Sequence, residues 1–360
     1  MTAWDQARNV LCIRLDNLGD VLMTTPAIRA LKDAVPGRQV TLLASHSGAK
    51  AAKSIPEIDD VIAYDAPWVK NVVPASAQAD LAMRYALGLR HFDAAVIFTV
   101  YSQSPLPAAM LCHLAGIPLR LAHCRENPYH LLTDWVKETE PGPVVRHEVQ
   151  RQLDLVATVG ARTDDERLSF QVRPQARWCV RMKLEEAGLD VSKPYLVVHP
   201  GATAASRRWP AERFGEMAEM LAQVLGVQVV VTGDPSEREL CDVVRRRAGD
   251  RAWNLAGHFG LEEFAAALDM AALVVSNNTG TVHLAAAVQT AVVDLYALTN
   301  PQHTPWKVAN RVLSHDVPCR NCYKSACPEG HHQCLLGVTV RDAVAAACDL
   351  WLDIHWRAAA

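Results

Sequence analysis

The sequence predicts an α/β protein with two domains, each built on a parallel sheet. With 360 residues the chain is longer than one average domain. Short apolar strands alternate with helices in both halves, and such alternation is typical of parallel βαβ units. A polar, proline-containing stretch at residues 164–174 separates the two series. We therefore expect a first domain at 1–172 and a second at 173–339. A final helix at 340–360 is expected to pack back on the first domain.

The elements follow from hydrophobic periodicity and from the glycine and proline residues that interrupt it. In the first half, the pattern predicts strands at 10–15, 40–45, 61–64 and 94–99, with helices at 20–33, 48–54 and 107–115. In the second half it predicts strands at 195–199, 227–232, 273–276 and 291–296, with helices at 177–187, 211–225, 237–247, 261–270 and 280–288.

Composition excludes several classes of protein. The formal net charge of −3 gives no global reason to expect nucleic-acid binding. We see no charged and then apolar segment after Met1 that is typical of a signal peptide, and the longest apolar runs are only strand-length. We therefore expect a cytoplasmic protein, with peripheral contact to a membrane left open.

The first strand leads into a short loop, RLDNLGD at 14–20, that ends in a carboxylate where a helix begins. The loop has one glycine, Gly19, and lacks the GxGxxG pattern of dinucleotide-binding loops, which disfavours a nicotinamide dehydrogenase. Asp20 has two interpretations. It either caps the helix, or it serves as a general base that faces a crevice at the sheet edge.

Three segments of the second half have the character of anion sites. The segment HPGATAASRRWP at 199–210 joins a strand, a loop of small residues, two arginines and a helix that we expect to begin with Pro210 at its first position. Free amides, the positive end of a helix and arginine all favour phosphate. The segment NNTGTVH at 277–283 offers amides and hydroxyls to a second oxyanion.

The turn at 232–237 ends in Glu237, whose carboxylate can accept hydrogen bonds from ribose hydroxyls. Each of these segments also has a structural interpretation. Arg207 and Arg208 are then surface charges, Glu237 stabilises the first turn of a helix, and His283 is a structural histidine.

Together these segments resemble glycosyltransferase family 9, the heptosyltransferases of lipopolysaccharide core assembly. The matching stretches are 13–32, 146–148, 199–214, 231–239, 254–257, 275–287 and the cysteine-rich tail. The resemblance implies a GT-B fold, with two Rossmann-like domains whose parallel sheets face a central cleft. It implies that the first domain binds the acceptor and the second binds the donor, ADP-heptose, and that transfer to a lipopolysaccharide core is inverting and needs no catalytic metal.

The resemblance also implies roles for individual residues. Asp20 matches the general base, Arg207 a basic residue for the donor diphosphate, Glu237 a ribose contact, and His283 a helix position of the donor site. The expected donor-binding set is Thr203, Arg207, Arg208, Glu237, Asn278, Thr279, Gly280, Thr281 and His283.

One position departs from the family, which usually has aspartate where this chain has Asn278. Asparagine keeps hydrogen-bonding capacity but lacks the negative charge. The departure leaves open a donor other than ADP-heptose, or a nucleotide-sugar sensor or assembly subunit with little turnover. The acceptor is not readable from the sequence, so a protein acceptor also stays open.

Four cysteines lie within sixteen residues, at Cys319, Cys322, Cys327 and Cys334. In a reducing compartment this density favours a structural metal, zinc or iron, over disulfides. The alternatives are reduced, packed thiols, or a redox- or metal-responsive protein in which the nucleotide motifs are incidental.

Overall fold

Each half of the chain builds one six-stranded sheet, and the paired strands in both sheets run parallel. The computed structural model describes residues 2–69, 76–142 and 145–359. The chain divides into two compact units, Met1–Phe170 and Gln171–Ala360. The observed division lies two residues before the boundary that we expected after residue 172.

The first unit alternates strands with helices. Its strands are β1 (Asn9–Arg14), β2 (Gln39–Ala44), β3 (Asp60–Ala63), β4 (Ala94–Ile97), β5 (Leu119–Cys124) and β6 (Asp134–Lys137). Its helices are α1 (Ala3–Gln6), α2 (Leu18–Ala34), α3 (His46–Ala52), α4 (Ala77–Leu89), α5 (Leu106–Leu114) and α6 (Glu148–Ala157). The sheet order is β3-β2-β1-β4-β5-β6.

The second unit repeats this plan. Its strands are β7 (Tyr195–His199), β8 (Gln228–Val231), β9 (Ala252–Asn254), β10 (Leu273–Asn277), β11 (Val292–Leu295) and β12 (Asn310–Leu313). Its helices are α7 (Pro174–Glu186), α8 (Ala211–Leu225), α9 (Arg238–Ala248), α10 (Leu261–Asp269), α11 (Gly280–Ala287), α12 (Gln333–Leu336) and α13 (Val340–Ala359). The sheet order is β12-β11-β10-β7-β8-β9.

In both units the first strand lies where the strand order reverses. β1 is flanked by β2 and β4, and β7 is flanked by β8 and β10. Open α/β sheets bind ligands outside the carboxyl ends of the strands at this switch point. The fold therefore directs attention to the loops that follow β1 and β4 in the first unit, and β7 and β10 in the second.

The eight predicted strands are present, and the structure adds β5, β6, β9 and β12. β6, β9 and β12 lie at sheet edges and are largely half-buried or exposed, so they lack the continuous apolar run that marks a central strand. β5 is buried but contains Arg120 and His123, which hide its apolar character in the sequence.

One expectation about helix ends differs from the structure, because Pro210 is the N-cap residue of α8 and the helix begins at Ala211. The last helix, α13, buries Ala343, Ala347 and Leu350 in the core of the second unit, against α8. The expected packing of this helix on the first unit stays a prediction. Among the described residues, no helix combines the length and apolar character needed to cross a membrane.

Candidate functional site

A cavity of about 290 Å³ opens at the switch point of the first unit, between the ends of β1 and β4. Its wall is apolar at Ile13, Ile97 and Phe98, and Trp68 lies beside them. Polar groups enter from the loops, where the lining residues are Asp16, Thr99, Ser102, Gln103 and Ser104. An aromatic side chain together with hydroxyl, amide and carboxylate groups suits a small polar ligand that has an apolar face, such as a sugar ring.

Asp20 lies in the first turn of α2 and makes two contacts, one of which is the helix cap of its first interpretation. Its Oδ2 accepts a hydrogen bond from the backbone N–H of Asn17 at 3.2 Å, which closes a capping box. Its Oδ1 lies 3.1 Å from Nη2 of Arg14. The side chain remains about one fifth exposed (21%), so it is open to a reactant.

Sequence reasoning missed a second carboxylate in the same loop. Asp16 lines the cavity, whereas Asp20 is not among its lining residues. Asp16 Oδ2 lies 3.1 Å from Nε of Arg14, and its Oδ1 accepts a hydrogen bond from Gln103 at 2.7 Å. The sequence shows Asp16 and Asp20 shortly after Arg14. It does not show the contact between Asp16 and Gln103, because these residues are 87 positions apart.

In the second unit, Glu237 lies against the backbone of two glycines. It accepts a hydrogen bond from the N–H of Asp234 at 2.9 Å, so it does stabilise the first turn of its helix. A side chain at Gly201 would collide with the Glu237 carboxylate, and one at Gly233 would crowd it. These two glycines follow β7 and β8, and they allow the carboxylate to reach the carboxyl edge of the sheet.

The turn that carries Arg207 is held by the cysteine-rich loop. Ser206 donates its hydroxyl to the carbonyl of Lys324 at 2.7 Å and its N–H to that of Ser325 at 3.2 Å. The carbonyl of Ser206 in turn lies 2.7 Å from Nε2 of His332. All the hydrogen-bonding groups of one buried serine therefore bind the loop at 319–334, directly beside Arg207.

The N-terminus of α11 faces the same edge. Thr279 is its N-cap, and its hydroxyl accepts a hydrogen bond from the N–H of Thr281 at 3.3 Å. Arg207 donates from Nη1 to the carbonyl of Asn278 at 3.4 Å, which joins the loop after β7 to the loop after β10. Asn278, Thr281 and His283 are buried, and Gly280 is half-buried.

Several buried polar atoms near this edge have no hydrogen-bond partner within the described ranges. They are Nε of Arg207, Nδ2 of Asn278 and both carboxylate oxygens of Asp294 on β11. Burial raises the pKa of Asp294 well above its usual value, and the attraction of Arg207 lowers it only in part. Unpaired buried donors are costly, so the arrangement favours an incoming group that can accept hydrogen bonds.

The structure thus brings together most of the predicted donor set. β10, β7 and β8 are neighbours in the sheet, and the loops that follow them carry Thr279, Arg207 and Glu237 respectively. Thr203 and Arg208 are exposed, and Nε of Arg208 donates to the carbonyl of Ala202 at 2.7 Å, so this arginine braces its own loop. Asp294 was missed, although a carboxylate inside the apolar strand VVDL was a signal.

The four clustered cysteines are free thiols and half-buried. Sγ of Cys319 lies 3.7 Å from Nε2 of His331, and Sγ of Cys327 accepts from the N–H of His332 at 3.4 Å. Burial raises the pKa of Cys334, and the three neighbouring thiols add to the increase. Even so, no three histidine, cysteine or acidic side chains in the described part of the chain are placed to hold a metal ion.

Comparison with known proteins identifies the family. The family model described as glycosyltransferase family 9 (heptosyltransferase) matches residues 81–333. The chain is 25% identical to lipopolysaccharide heptosyltransferase 2 of Escherichia coli K12 over 341 residues, which cover 92% of this chain and 94% of that protein.

Solved structures share the fold. A family 9 glycosyl transferase from Veillonella parvula superposes with a TM-score of 0.81 at 22% identity, covering 96% of this chain and 98% of that one. The E. coli ADP-heptose lps heptosyltransferase II superposes with a TM-score of 0.74, also at 22% identity, covering 96% and 99%. The fold is therefore GT-B, with two Rossmann-like domains. Because the family model spans most of the chain, this protein belongs to glycosyltransferase family 9, the heptosyltransferase family, and is a glycosyltransferase.

Proposed function

We propose that this enzyme transfers heptose from ADP-heptose to a lipopolysaccharide core acceptor, with inversion at the anomeric carbon. The observation that carries the donor assignment is the convergence of Arg207, Glu237 and the N-terminus of α11 on one edge of the second sheet. An arginine and free helix amides suit a diphosphate, and a carboxylate suits ribose hydroxyls. The names of the relatives, lipopolysaccharide heptosyltransferases and an ADP-heptose enzyme, support heptose and the acceptor class.

In the proposed reaction, Asp20 accepts the proton of an acceptor hydroxyl while that oxygen forms a bond to the anomeric carbon. The bond between this carbon and the diphosphate oxygen breaks, and ADP leaves with the bonding electron pair. Negative charge grows on the leaving diphosphate, where Arg207 and the backbone amides of Thr279 and Gly280 stabilise it. These protein groups supply the stabilisation that a metal ion supplies in other transferases.

Binding measurements test the donor assignment. We expect ADP to raise the melting temperature more than UDP or GDP does, and ADP-heptose to raise it further, because ligands stabilise the state that they bind. Arg207→Gln should raise the Kd for ADP about tenfold or more, since it removes a charge-assisted contact. Arg247→Gln is the matched control, because Arg247 forms exposed ion pairs with Glu216 and Glu219 on the same unit. A preference for UDP or GDP would contradict ADP-heptose as donor and direct attention to Asn278.

The first unit is proposed to bind the acceptor. Its cavity offers Asp16 and Gln103 as hydrogen-bonding partners for sugar hydroxyls and Trp68 as an apolar surface. Asp16→Asn should raise KM for the acceptor and leave ADP binding unchanged. An unchanged acceptor KM would remove the cavity from the acceptor site.

We further propose that the enzyme works at the cytoplasmic face of the inner membrane. Its ten cysteines are all free, as expected in a reducing compartment. Helix α4 exposes Leu81, Tyr85 and Leu89 on one face, each by about three fifths (64%, 61% and 59%). An exposed apolar helix face of this kind suits a lipid surface, in which a lipid-anchored acceptor is embedded.

Vesicle binding tests this contact. The protein should sediment with vesicles that contain phosphatidylglycerol, and Leu81→Ser combined with Leu89→Ser should reduce the bound fraction severalfold. Val224→Ser changes an equally exposed apolar residue on the second unit and should bind like the wild type. Equal sedimentation of all three proteins would contradict membrane docking through α4.

A structural zinc or iron ion at the cysteine cluster also belongs to this proposal. The four thiols suit such a metal chemically, and their mutual influence on Cys334 supports proximity. Their present arrangement does not assemble a ligand set, so binding would have to draw them together. Metal analysis of purified protein, before and after Cys322→Ser, tests the idea. Less than a tenth of an equivalent of either metal in the wild type would contradict it.

A further inference from the structure

A fully buried arginine lies beneath the proposed general base. Arg14 is the last residue of β1, and none of its side chain is exposed. Its guanidinium contacts three carboxylates: Nε lies 3.1 Å from Asp16, Nη2 lies 3.1 Å from Asp20, and Nη1 lies 3.0 Å from Glu148. Burial alone would lower the pKa of Arg14, but the attraction of these carboxylates raises it above its ordinary value. The group therefore stays charged.

Glu148 holds Arg14 from the opposite side. It is the first residue of α6, is fully buried, and accepts a hydrogen bond from Gln152 Nε2 at 2.7 Å. Nη1 of Arg151 lies 3.7 Å from its other oxygen. A carboxylate at a helix N-terminus is also favoured by the helix dipole. Glu148 is thus fixed independently of the loop that carries Asp20.

Together these contacts define where the Asp20 carboxylate points. Its Oδ1 is bound to Arg14 and its Oδ2 to the N–H of Asn17, so both oxygens have a fixed partner. Asp20 is the most exposed of the three carboxylates, at 21% against 16% for Asp16 and none for Glu148. The arrangement exposes the Asp20 carboxylate to a reactant, and Arg14 fixes its orientation from the buried side.

We infer that Arg14 and Glu148 are positioning residues that hold Asp20 in the orientation needed for proton abstraction. The inference rests on the proposed function, because it assumes that Asp20 is the base. Reacting groups must be placed within a fraction of an ångström, and a displacement of about 1 Å can cost about 100-fold in rate. Glu148, 128 positions after Asp20 in the sequence, thereby gains a role in catalysis without touching substrate.

A purely structural role predicts a different behaviour. Removing one partner of a buried ion pair leaves an uncompensated charge and destabilises the fold, whereas replacing both partners with apolar residues is often neutral or stabilising. If Arg14 and Glu148 serve stability alone, their joint replacement should therefore restore both folding and activity. If they position Asp20, joint replacement should restore folding only.

The test is the double variant Arg14→Met with Glu148→Met, assayed for melting temperature, kcat and donor KM. We expect the variant to fold with a melting temperature below that of the wild type, because Asp16 and Asp20 lose their cation but stay partly exposed to water. The donor KM should be unchanged, and kcat should be about 100-fold lower. The matched control is Arg29→Met with Glu57→Met, which removes another ion pair of α2 at 2.8 Å. This control should keep kcat within about threefold of the wild type. A folded Arg14/Glu148 variant with the kcat of the control would overturn the inference.

A conservative variant guards against failure of the double variant to fold. Arg14→Lys keeps the positive charge but cannot reach three carboxylates at once, because its ammonium lacks the planar fork of arginine. We expect it to fold and to lose about tenfold in kcat, again with donor KM unchanged. Wild-type kcat in this variant would contradict a positioning role for the guanidinium.

A crystal structure separates failure of this inference from failure of the proposed function. In the Arg14→Lys protein the Asp20 carboxylate should rotate away from the position that it has in the wild type. If the wild-type protein transfers no sugar and Asp20 still rotates in the variant, the proposed function fails, although Arg14 is shown to fix the Asp20 side chain. If the wild type is active while Asp20 and kcat are unchanged in the variant, the inference fails and the function stands.

Discussion

Ser206→Ala is the perturbation that most directly tests whether the cysteine-rich loop supports the donor site. The change removes the hydroxyl that donates to the Lys324 carbonyl at 2.7 Å and leaves the backbone contacts to Ser325 and His332 in place. A hydrogen bond of this kind contributes about 0.5–1.5 kcal/mol. Lys324 is exposed, so water can replace the lost donor and the cost should not exceed this range.

The consequence for ligand binding follows from the position of Ser206 beside Arg207. If the loop is needed to hold the Arg207 turn in its binding conformation, the lost free energy appears in donor affinity. A loss of 0.5–1.5 kcal/mol corresponds to an increase in Kd for ADP of about 2- to 12-fold. Titration calorimetry with ADP measures this directly, and kcat at saturating donor should change less than KM does.

Thr290→Val is the matched control for Ser206→Ala. Thr290 is equally buried, and its hydroxyl donates to the carbonyl of Leu268 at 2.8 Å, at the opposite end of the sheet from the donor loops. It should lose a similar amount of stability and bind ADP like the wild type. If Ser206→Ala lowers the melting temperature as Thr290→Val does and leaves the Kd for ADP unchanged, the loop serves stability alone.

Two further substitutions and one chemical treatment test other parts of the site. Asp294→Asn should stabilise the protein increasingly as pH rises. The folded-state pKa of Asp294 is raised by burial, so the wild type is most stable below about pH 3.8 and loses this contribution as pH rises through the higher folded value. Urea unfolding should show a larger difference in free energy of unfolding between Asp294→Asn and the wild type at pH 8 than at pH 5, and an equal difference at the two pH values would contradict the buried carboxylate. Gly201→Ala should displace the Glu237 carboxylate and raise the Kd for ADP several-fold. Gly88→Ala in α4 is the control and should leave this Kd unchanged, because the added methyl group would make only an ordinary contact with the Ala115 carbonyl at 3.5 Å. Equal Kd values for the two variants would remove Glu237 from the donor site. Chelator treatment should lower the melting temperature by several degrees if a structural metal is bound, and an unchanged value would argue against one.

Local sequence patterns predicted the parts of the fold that local chemistry controls. The central strands are apolar on both faces, and their loops carry glycine, arginine or acidic residues, so β1, β7 and β10 and the functional segments after them were visible. Edge strands such as β6 and β12 were not, because half-exposed strands mix polar and apolar residues without a clear period.

The contacts that organise the site were beyond the reach of sequence patterns because they join distant residues. Arg14 meets Glu148 across 134 positions, and Ser206 meets Lys324 across 118. The sequence identified Asp20 and Arg207 as candidates. Residues 146–148 and the cysteine-rich tail were marked only as stretches that resemble the family. Nothing in the sequence showed that Glu148 contacts Arg14 or that the cysteine-rich loop binds the turn that carries Arg207.

Other features carried a signal that was not used. A carboxylate within the apolar strand β11 marked Asp294, since acids are almost never buried without a partner. Helix α13 also carried such a signal, since Ala343, Ala347 and Leu350 have the helical spacing of a buried face and lie in the core of the second unit.

The most direct test of the central claim is a transfer assay with ADP-heptose and a lipopolysaccharide core acceptor, run in parallel for the wild type and Asp20→Asn. The product is detected by mass spectrometry, and ADP binding is measured on both proteins. We predict that the wild type adds one heptose to the acceptor, and that Asp20→Asn loses transfer by about 100-fold or more while it binds ADP normally. Transfer at the wild-type rate by Asp20→Asn would contradict the proposed base. Normal ADP binding with no transfer by the wild type would contradict heptosyl transfer to this acceptor.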